Sequence, residues 1–244
     1  MVPPGWIVFD AVGTLIAPRE PIAETYCRFA RSYGIAPSTE TIGSMFTRYF
    51  AQSEALSFVG ESPQPGWETN ETAERVRWLW IIRQLFPELS WETSRALFDE
   101  LWQYYASAHA WCWLPSAIEV ISELRRRGWK LAIASNFDDR LEPLLAQLWP
   151  DHPCMVLVSS ALGWRKPAPA FYDLVCLRCQ SSPQQMVMVG DDYEHDYSVP
   201  RHMGWHACRV GHPSSSPPAD ILDLAELPAW LERHLTVSGR LSCS

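Results

Sequence analysis

The sequence of 244 residues has no long apolar segment and no basic stretch ahead of its first apolar run. The richest apolar stretch, Val76 to Phe86, is interrupted by Arg77 and Arg83, whereas a membrane-spanning helix needs about 20 apolar residues. The N-terminal segment, MVPPGWIVFDAVGTL, lacks the basic region of a signal peptide. We therefore expect a cytoplasmic protein without membrane insertion.

Positive charge is also scarce. Twenty lysines and arginines face 28 acidic residues, which gives a net charge of −8 and opposes general attraction to nucleic acid or anionic membranes. Hydrophobic residues make up 47% of the chain and charged residues 20%, so neither a disordered nor a fibrous protein is expected. The composition predicts a globular protein with small-molecule or protein partners and no nucleic acid.

The seven cysteines are odd in number and scattered, as expected for reduced thiols. Cys176 and Cys179 form one C-x-x-C pair, but no second pair lies at zinc-finger distance and the surrounding pattern is helical. A structural zinc site is therefore not expected there.

Four short apolar runs predict the strands of a parallel sheet. The runs are GWIVF (5–9), LAIAS (131–135), MVLVSS (155–160) and MVMVGDD (186–192), and helical patterns precede the last three. Strands that alternate with helices predict an α/β protein with a doubly wound parallel sheet covered on both faces. Sites in such sheets form at the carboxyl ends of the strands. Asp10, Ser135 and Asp191 all lie at such ends, so we expect them to be neighbours.

Residues 18–113 interrupt this rhythm with long amphipathic helical patterns and no credible buried strand. The stretch GESPQPG (60–66) divides the segment into two helical halves, and Gly34 is a candidate C-cap in the first half. We predict an inserted helical domain at 18–113 and a core formed by residues 1–17 and 114–244. Near the C-terminus, HPSSSPPAD (212–220) predicts a flexible loop, followed by a short helix near Leu222 to Leu235.

Four motifs in order, FDAVGTL, ASN, RKPAPAFY and VGDDYEHD, resemble the signature motifs of the haloacid dehalogenase (HAD) superfamily. The insertion between the first and second motifs resembles the helical C1-type cap of subfamily I. Within it, ERVRWLWIIRQLF is similar to the branch that contains the haloacid dehalogenase-like hydrolase domain-containing 3 proteins. The resemblance spans nearly the whole chain, and it implies a HAD-type core, a cap and hydrolase activity.

The resemblance also implies roles for individual residues. Asp10 would attack phosphorus and form a transient aspartyl phosphate, because a carboxylate stays ionised at neutral pH and gives an intermediate that water can cleave. Thr14 and Ser135 would hydrogen-bond the bound group, with help from backbone N–H groups of residues 11–13. Asn136 would contribute to substrate binding. An ordinary strand-end aspartate at Asp10 and simple turn residues at Ser135 and Asn136 remain the alternatives.

Lys166 would neutralise phosphoryl oxygens and restrain the crowded carboxylates. Among twenty basic residues only Lys130 and Lys166 are lysines, so arginine is strongly preferred elsewhere. A compact ammonium can reach into a tight acidic site that a planar guanidinium does not fit. The alternative is a coincidental lysine at this position.

The segment VGDDYEHD predicts a metal site, because four of the six residues from Asp191 to Asp196 are acidic. Mg²⁺ supplies the compensating charge and prefers octahedral oxygen ligands. The resemblance implies that Asp10, Asp191 and the backbone carbonyl of Val12 are ligands. Asp196 would bind directly, through water or through Lys166.

Val12 is the departure from the family pattern. HAD phosphatases usually have an aspartate there, which protonates the leaving oxygen and later activates water, and dehalogenases commonly have tyrosine. Valine can do neither, and general acid–base help is typically worth ~10² to 10⁴ in rate. Alkyl phosphates should therefore react slowly, whereas acyl or aryl phosphates should suffer less.

The second half of the insert is rich in tryptophan, at positions 67, 78, 80, 91, 102, 111 and 113. Trp91 and Trp102 are three helical turns apart, so they are expected on one stripe. Most of these residues should serve packing. The others could line a substrate pocket or form a docking surface for a protein partner, since tryptophan is enriched in binding hot spots.

Three functions follow from these residues. The leading hypothesis is a Mg²⁺-dependent phosphatase of small phosphorylated compounds. A 2-haloacid dehalogenase-like hydrolase is the nearest enzymatic alternative, although the acid-rich VGDDYEHD argues for a metal that such enzymes do not need. The third is a catalytically attenuated binding or assembly protein, which Val12 and the tryptophans support.

Overall fold

The computed structural model of the chain describes residues 5–211 and 216–235, and its strands alternate with helices along most of the sequence. In chain order the strands are β1 (Trp6–Phe9), β2 (Ile16–Pro18), β3 (Leu56–Ser57), β4 (Gln64–Pro65), β5 (Trp111–Trp113), β6 (Lys130–Ser135), β7 (Met155–Val158), β8 (Met186–Gly190) and β9 (His206–Arg209). The α-helices are α1 (Ile22–Arg31), α2 (Thr39–Glu54), α3 (Glu71–Leu85), α4 (Trp91–Tyr105), α5 (Ala117–Arg126), α6 (Leu141–Leu148), α7 (Ser159–Leu162), α8 (Pro169–Cys179), α9 (Val199–His202) and α10 (Leu227–Leu235).

Five of the strands form one parallel sheet in the order β7-β6-β1-β8-β9. In the central strand β1, Ile7 and Phe9 pack into one hydrophobic cluster and Val8 into another, because successive side chains of a strand point to opposite faces. All three side chains are fully buried. The sheet is therefore covered on both faces, and the predicted doubly wound α/β fold is confirmed.

The edge strand β9 was not among the predicted strands. It pairs with β8 alone, and its sequence, HACR, begins and ends with a polar residue. A four-residue strand with two polar ends lacks the apolar run that revealed the other four strands. The sheet is thus one strand wider than the sequence predicts.

The helical insert, defined here as α1 to α4, has a hydrophobic core of its own, to which Tyr26, Ile81 and Leu97 contribute. Three of its helices begin at residues suited to the N-cap position: the side chains of Ser38, Asn70 and Ser90 each accept a hydrogen bond from a backbone N–H of the following turn. Helix α1 ends at Arg31 with Ser32 as its C-cap. Gly34 lies beyond that cap, so the C-cap prediction was wrong. Gly34 does have the left-handed φ of 77° that favours glycine.

Two short antiparallel pairs accompany these helices, although no strand was expected in the segment. Strand β3 pairs with β4, and β2 pairs with β5 so that Pro18 lies opposite Trp111. Each strand has only two or three residues, too few for a periodic signal. The β2–β5 pair brings together the two points where the chain enters and leaves the helical insert.

The C-terminal segment is only partly covered by the described residues. Four residues of the predicted loop at 212–220 lie outside them, as does Cys243. The final helix is α10, which begins five residues later than predicted because a 3₁₀ turn, Leu224–Glu226, precedes it. Cys176 and Cys179 lie in α8, as their helical pattern predicted.

None of the helices within residues 5–211 and 216–235 combines the length and apolarity that crossing a bilayer requires.

Candidate active site

The carboxyl ends of β1, β6 and β8 meet at one edge of the sheet, below a cavity of about 380 Å³. Asp10 follows β1, Ser135 ends β6, and Asp191 follows β8. All three residues line the cavity, together with Val12, Asn136, Lys166 and Asp196. The predicted residues therefore come together; Thr14 does not line the cavity but contacts Asp191.

Three carboxylates and one lysine form what we call the carboxylate cluster: Asp10, Asp191, Asp196 and Lys166. One oxygen from each carboxylate lies within 4.8 Å of the others. The Lys166 Nζ donates to Asp10 Oδ1 and to Asp196 Oδ1, at 2.7 Å in both cases. One ammonium thus faces three carboxylates. The excess negative charge and the all-oxygen donor set fit a hard divalent cation.

The charges of the cluster change the acidities of its members. Burial alone would lower the pKa of Lys166, but the charges of Asp10 and Asp196 outweigh burial and raise that pKa above its ordinary value. Burial raises the pKa of Asp196, and the opposing effect of Lys166 does not cancel the rise. Asp191 is open to the cavity, yet partial burial and the nearby Asp10 charge raise its pKa too. A bound cation would relieve this mutual repulsion.

Two glycines allow the carboxylates to approach the backbone. Gly13 has a φ of 92°, and a Cβ added there would lie 2.6 Å from Asp191 Oδ2. A Cβ on Gly190 would collide with the Asp196 carboxylate. Sequence reasoning missed Gly190, whose signal is a glycine between a buried strand and an acidic run.

Thr14 and Asn136 hold other members of the site. The Thr14 Oγ1 donates to Asp191 Oδ1 at 3.1 Å. The Asn136 Nδ2 donates to the Lys166 carbonyl at 2.9 Å, and its Oδ1 accepts from the Lys166 N–H at 2.7 Å. Both side chains were expected to contact a bound group. In the structure these side chains contact Asp191 and Lys166, and their contact with a bound group stays a prediction.

Ser135 and Val12 both line the cavity. Ser135 is only 3% exposed and lines the cavity, so its contact with a bound group remains a prediction. The Val12 residue also contributes to the cavity wall, beside the hydrophobic cluster on one face of the sheet. The apolar side chain of Val12 therefore lies close to the carboxylate cluster and adds no titratable group to it.

The acidic loop after β8 is fixed from two sides. The Asp192 Oδ1 accepts the N–H groups of Glu194 and His195 at 2.9 and 2.7 Å, and so caps the π-helical turn Glu194–Ser198. From strand β9, the buried Arg209 donates through Nε to the Asp191 carbonyl at 3.2 Å. Sequence reasoning missed Arg209, because β9 itself was not predicted.

Arg140 is another unpredicted member of the cavity wall. Its guanidinium forms two 2.7 Å hydrogen bonds to the two oxygens of Asp138, a bidentate pair. The Arg140 Cζ also lies 3.4 Å from the centre of the Trp102 ring. The adjacent charges of the FDDR sequence are typical of a solvated loop, so the sequence carries no signal for this contact.

A second group of buried charges, here called the arginine cluster, joins the core to the helical insert through Glu74, Arg77 and Arg165. Glu74 accepts from Arg77 Nη1 at 3.3 Å and lies 3.8 Å from Arg165 Nε. Arg165 also donates to the carbonyls of Ser53 and Leu56. Burial and the charge of Arg77 lower the pKa of Arg165 to about 10. Arg165, which precedes Lys166 in the chain, is thus bound to residues of the helical insert.

The upper wall of the cavity is an aromatic chamber, built mainly by the helical insert. Its residues are Tyr26, Phe46, Phe50, Trp78, Phe98, Trp102, Tyr105, Trp111 and Phe137. Three of the seven tryptophans in the second half of residues 18–113 belong to it: Trp78, Trp102 and Trp111. Trp91 and Trp102 both pack against arginines of α3, Arg83 and Arg75, as residues on one stripe of α4 do, but Trp91 is 49% exposed whereas Trp102 also lines the cavity.

The amino-acid sequence matches the family model described as haloacid dehalogenase-like hydrolase over residues 5–204. The haloacid dehalogenase-like hydrolase domain-containing protein 3 of Bos taurus is 30% identical over 218 residues, which cover 87% of this chain and 84% of that protein. The Homo sapiens protein of the same name is 30% identical with the same coverage. The ribulose-1,5-bisphosphate 5-phosphatase of Halopiger xanaduensis is 28% identical over 179 residues, or 70% of this chain and 72% of that protein.

Solved structures show the same fold at low sequence identity. A predicted phosphoglycolate phosphatase from Haemophilus somnus superposes with a TM-score of 0.65 at 18% identity, covering 93% of this chain and 97% of that one. The defluorinating L-2-haloacid dehalogenase Rha0230 gives 0.73 at 14% identity, covering 93% and 95%. The HAD-hydrolase YfnB from Bacillus subtilis, bound to magnesium, gives 0.70 at 16% identity, covering 93% and 98%.

Proposed function

Because the chain belongs to the haloacid dehalogenase-like hydrolases, in the branch of the proteins named haloacid dehalogenase-like hydrolase domain-containing protein 3, we propose that it is a Mg²⁺-dependent phosphatase of small phosphorylated compounds. The observation that carries the proposal is the carboxylate cluster at the floor of a cavity. Three carboxylates with one ammonium suit a site that binds a cation and then a phosphate. Phosphatases among the relatives and structural neighbours support the same reading.

In the proposed reaction, Asp10 is the nucleophile. Lys166 holds Asp10 Oδ1, which leaves the other carboxylate oxygen to attack phosphorus. That oxygen forms a bond to phosphorus while the ester P–O bond breaks, and the leaving oxygen departs with the bonding electron pair. Water then cleaves the aspartyl phosphate, which releases inorganic phosphate and restores Asp10.

Asp10, Asp191 and Asp196 would hold the Mg²⁺, with the Val12 carbonyl as a further ligand. The metal would supply positive charge to the phosphoryl oxygens. Lys166 adds its own positive charge and holds Asp10 Oδ1 by a hydrogen bond. Ser135 donates a hydrogen bond to the phosphoryl group, while Thr14 and Asn136 position the residues that act on it.

Val12 limits the rate of the first step. No carboxylate or phenol stands at this position to protonate the leaving oxygen, so the proton has to come from water or from another residue of the cavity wall. Esters of basic alcohols should therefore react slowly and esters of acidic alcohols faster. The helical insert supports a further part of the proposal: residues 18–113 form a cap domain whose side chains enclose the leaving group.

A phosphate-release screen with Mg²⁺ over sugar, nucleotide, aryl and acyl phosphates tests this function. Asp10→Asn should lower the rate on every active substrate by on the order of 10⁶-fold, the scale on which loss of a nucleophile acts. Asp192→Asn is the matched control, because Asp192 also lines the cavity but its Oδ1 only caps a turn, which an amide oxygen can do. Equal losses in the two variants would contradict the role of Asp10.

Beryllofluoride trapping tests the covalent step directly. A complex with Mg²⁺ should show the beryllium bonded to an Asp10 oxygen. An analogue bound elsewhere, with Asp10 free, would remove Asp10 as the nucleophile. If the screen gives no turnover while phosphate still binds, the attenuated binding protein becomes the better reading, and Val12 is the residue that favours it.

A further inference from the structure

The aromatic chamber opens directly onto the carboxylate cluster, so both belong to one cavity. Phe46 stacks with Phe50 and Trp78, at 5.6 and 6.4 Å between ring centres, and packs edge-on to Tyr26 at 5.4 Å. On the opposite side Trp111 packs edge-on to Phe137 at 5.9 Å. A group attached to a phosphate at the carboxylates therefore lies among aromatic rings.

Polar side chains are a minority of the cavity wall and offer few partners for a polyhydroxylated leaving group; apart from the predicted site residues they are Glu54, Asp138, Arg140, Asp192 and His195. The guanidinium of Arg140 lies in the wall, but Asp138 neutralises it through two hydrogen bonds and Trp102 covers one of its faces. The Tyr105 hydroxyl is buried and has no hydrogen-bond partner among the described residues. Sugar hydroxyls moved from water into such walls would lose hydrogen bonds, whereas a flat apolar ring would gain contacts.

Val12 favours the same kind of substrate for a chemical reason. It provides apolar surface beside the carboxylates and no proton for the leaving oxygen. A phenolate is a weak base and leaves without a proton donor, but an alkoxide does not. Binding and chemistry thus select one class through different residues, the chamber aromatics and Val12.

We infer that the preferred substrates are monoesters of phosphate with one- or two-ring aromatic alcohols, an inference that rests on the proposed phosphatase function. The cavity of about 380 Å³ is at the small end of ligand pockets, which span about 300–1,000 Å³. An oxygen of Asp10 bonds to phosphorus, the bond from phosphorus to the aryl oxygen breaks, and the phenolate takes its proton from water after it leaves. The ring occupies the aromatic chamber.

Four phosphates separate selection of the ring by the aromatic chamber from selection of the leaving group by Val12. They are 1-naphthyl phosphate, benzyl phosphate, acetyl phosphate and glucose 6-phosphate. Naphthyl and benzyl phosphates share an aromatic group, but only the naphthyl ester has a good leaving group. Acetyl phosphate has a good leaving group without a ring. We expect low KM for both aromatic esters, high kcat for naphthyl and acetyl phosphates, and the highest kcat/KM for naphthyl phosphate. Equal KM for benzyl and glucose 6-phosphates would overturn the role of the chamber.

Phe46→Ala removes a ring from the chamber and should reduce the preference for naphthyl over glucose 6-phosphate, measured as the ratio of kcat/KM, about tenfold. Tyr49→Ala is the matched control: Tyr49 lies on the same helix, packs against Trp80 at 6.0 Å, and does not line the cavity. Phe46→Leu serves if the alanine variant does not fold. An unchanged ratio in the folded Phe46 variants contradicts the inference.

Calorimetry with Asp10→Asn and Mg²⁺ tests the inference independently of turnover. This variant should bind 1-naphthyl phosphate at least about tenfold more tightly than glucose 6-phosphate. Equal or weaker binding of the naphthyl ester would overturn the inference even in an active phosphatase. Preferential naphthyl binding without any turnover by the wild-type protein would instead retain the aromatic site and reject the proposed catalytic function.

Discussion

The carboxylate cluster and the arginine cluster are both buried and both unbalanced in charge, but in opposite directions. In the first, one ammonium faces three carboxylates at the edge of a cavity. In the second, Arg77 and Arg165 share the carboxylate of Glu74, and the excess positive charge is met by Ser53 Oγ and by the carbonyls of Ser53 and Leu56.

The difference lies in what compensates the excess charge. Neutral oxygens of the protein and the nearby charge of Glu54 offset the arginines, and that cluster links the core to the insert. The carboxylates open onto a cavity, and a cation from solution can complete their coordination. Charge imbalance alone therefore does not mark an active site; imbalance that faces a cavity does.

Of the two clusters, the arginine cluster should lose more stability when the single residue of opposite charge, here Glu74, is neutralised. Glu74→Gln removes the carboxylate that both Arg77 and Arg165 share and leaves only the charge of Glu54 acting on Arg165, which should lower the free energy of unfolding by about 3–5 kcal/mol. Urea unfolding measures the loss, with Glu40→Gln, an exposed residue of α2, as the control. A change below about 1 kcal/mol, the range of exposed ion pairs, would show that the arginines do not need Glu74.

A fourth carboxylate, introduced at position 12, tests the carboxylate cluster. Val12→Asp should raise kcat on benzyl phosphate by up to ~10²-fold and on naphthyl phosphate by less, because an alkoxide needs a proton in the transition state more than a phenolate does. Val12→Asn, of similar shape but unable to give a proton, is the control. Equal gains on both esters, or gains with asparagine, would contradict general acid catalysis as the missing function.

The smallest effect is expected when one carboxylate is removed. Mg²⁺ at ten times its Kd should stabilise the wild-type protein by about 1.4 kcal/mol, and a chain of this size shifts its Tm by about 2–4 °C per kcal/mol. Asp191→Asn should remove most of that shift. Its apoprotein should be no less stable than the wild type, since repulsion from Asp10 is relieved. The same Mg²⁺-induced shift in both proteins would exclude Asp191 as a ligand.

Asp10 and Asp191 were readable from the sequence because they follow buried strands, whereas Asp196 and Lys166 came from the acidic run and the family motifs. Asp10 and Asp191 each end an apolar run, and parallel strands bring such ends to one edge. The direct partners of Thr14 and Asn136 were not readable, since the same side chains can reach either a ligand or a neighbouring residue. Only the three-dimensional arrangement shows that Asp191 and Lys166 already occupy them.

The arginine cluster and the aromatic chamber were not predictable for a different reason. Glu74 and Arg77 lie three residues apart on a helix, a spacing that exposed ion pairs commonly have. Nothing local shows that both are buried against Arg165, which is far away in sequence. The tryptophans of the insert were conspicuous in number, but the choice between packing, cavity wall and surface depends on which helix faces which.

The pairing of Pro18 with Trp111 holds the two ends of the helical insert side by side. Seen from the core, the whole helical insert is therefore a single loop whose two ends are fixed next to each other. The entropic cost of closing a loop grows only with the logarithm of its length, about 0.6 kcal/mol for each doubling. The insert can lengthen, shorten or be exchanged with little effect on the sheet that it interrupts. Evolution can thus vary the walls around a leaving group while the carboxylates beneath them stay in place.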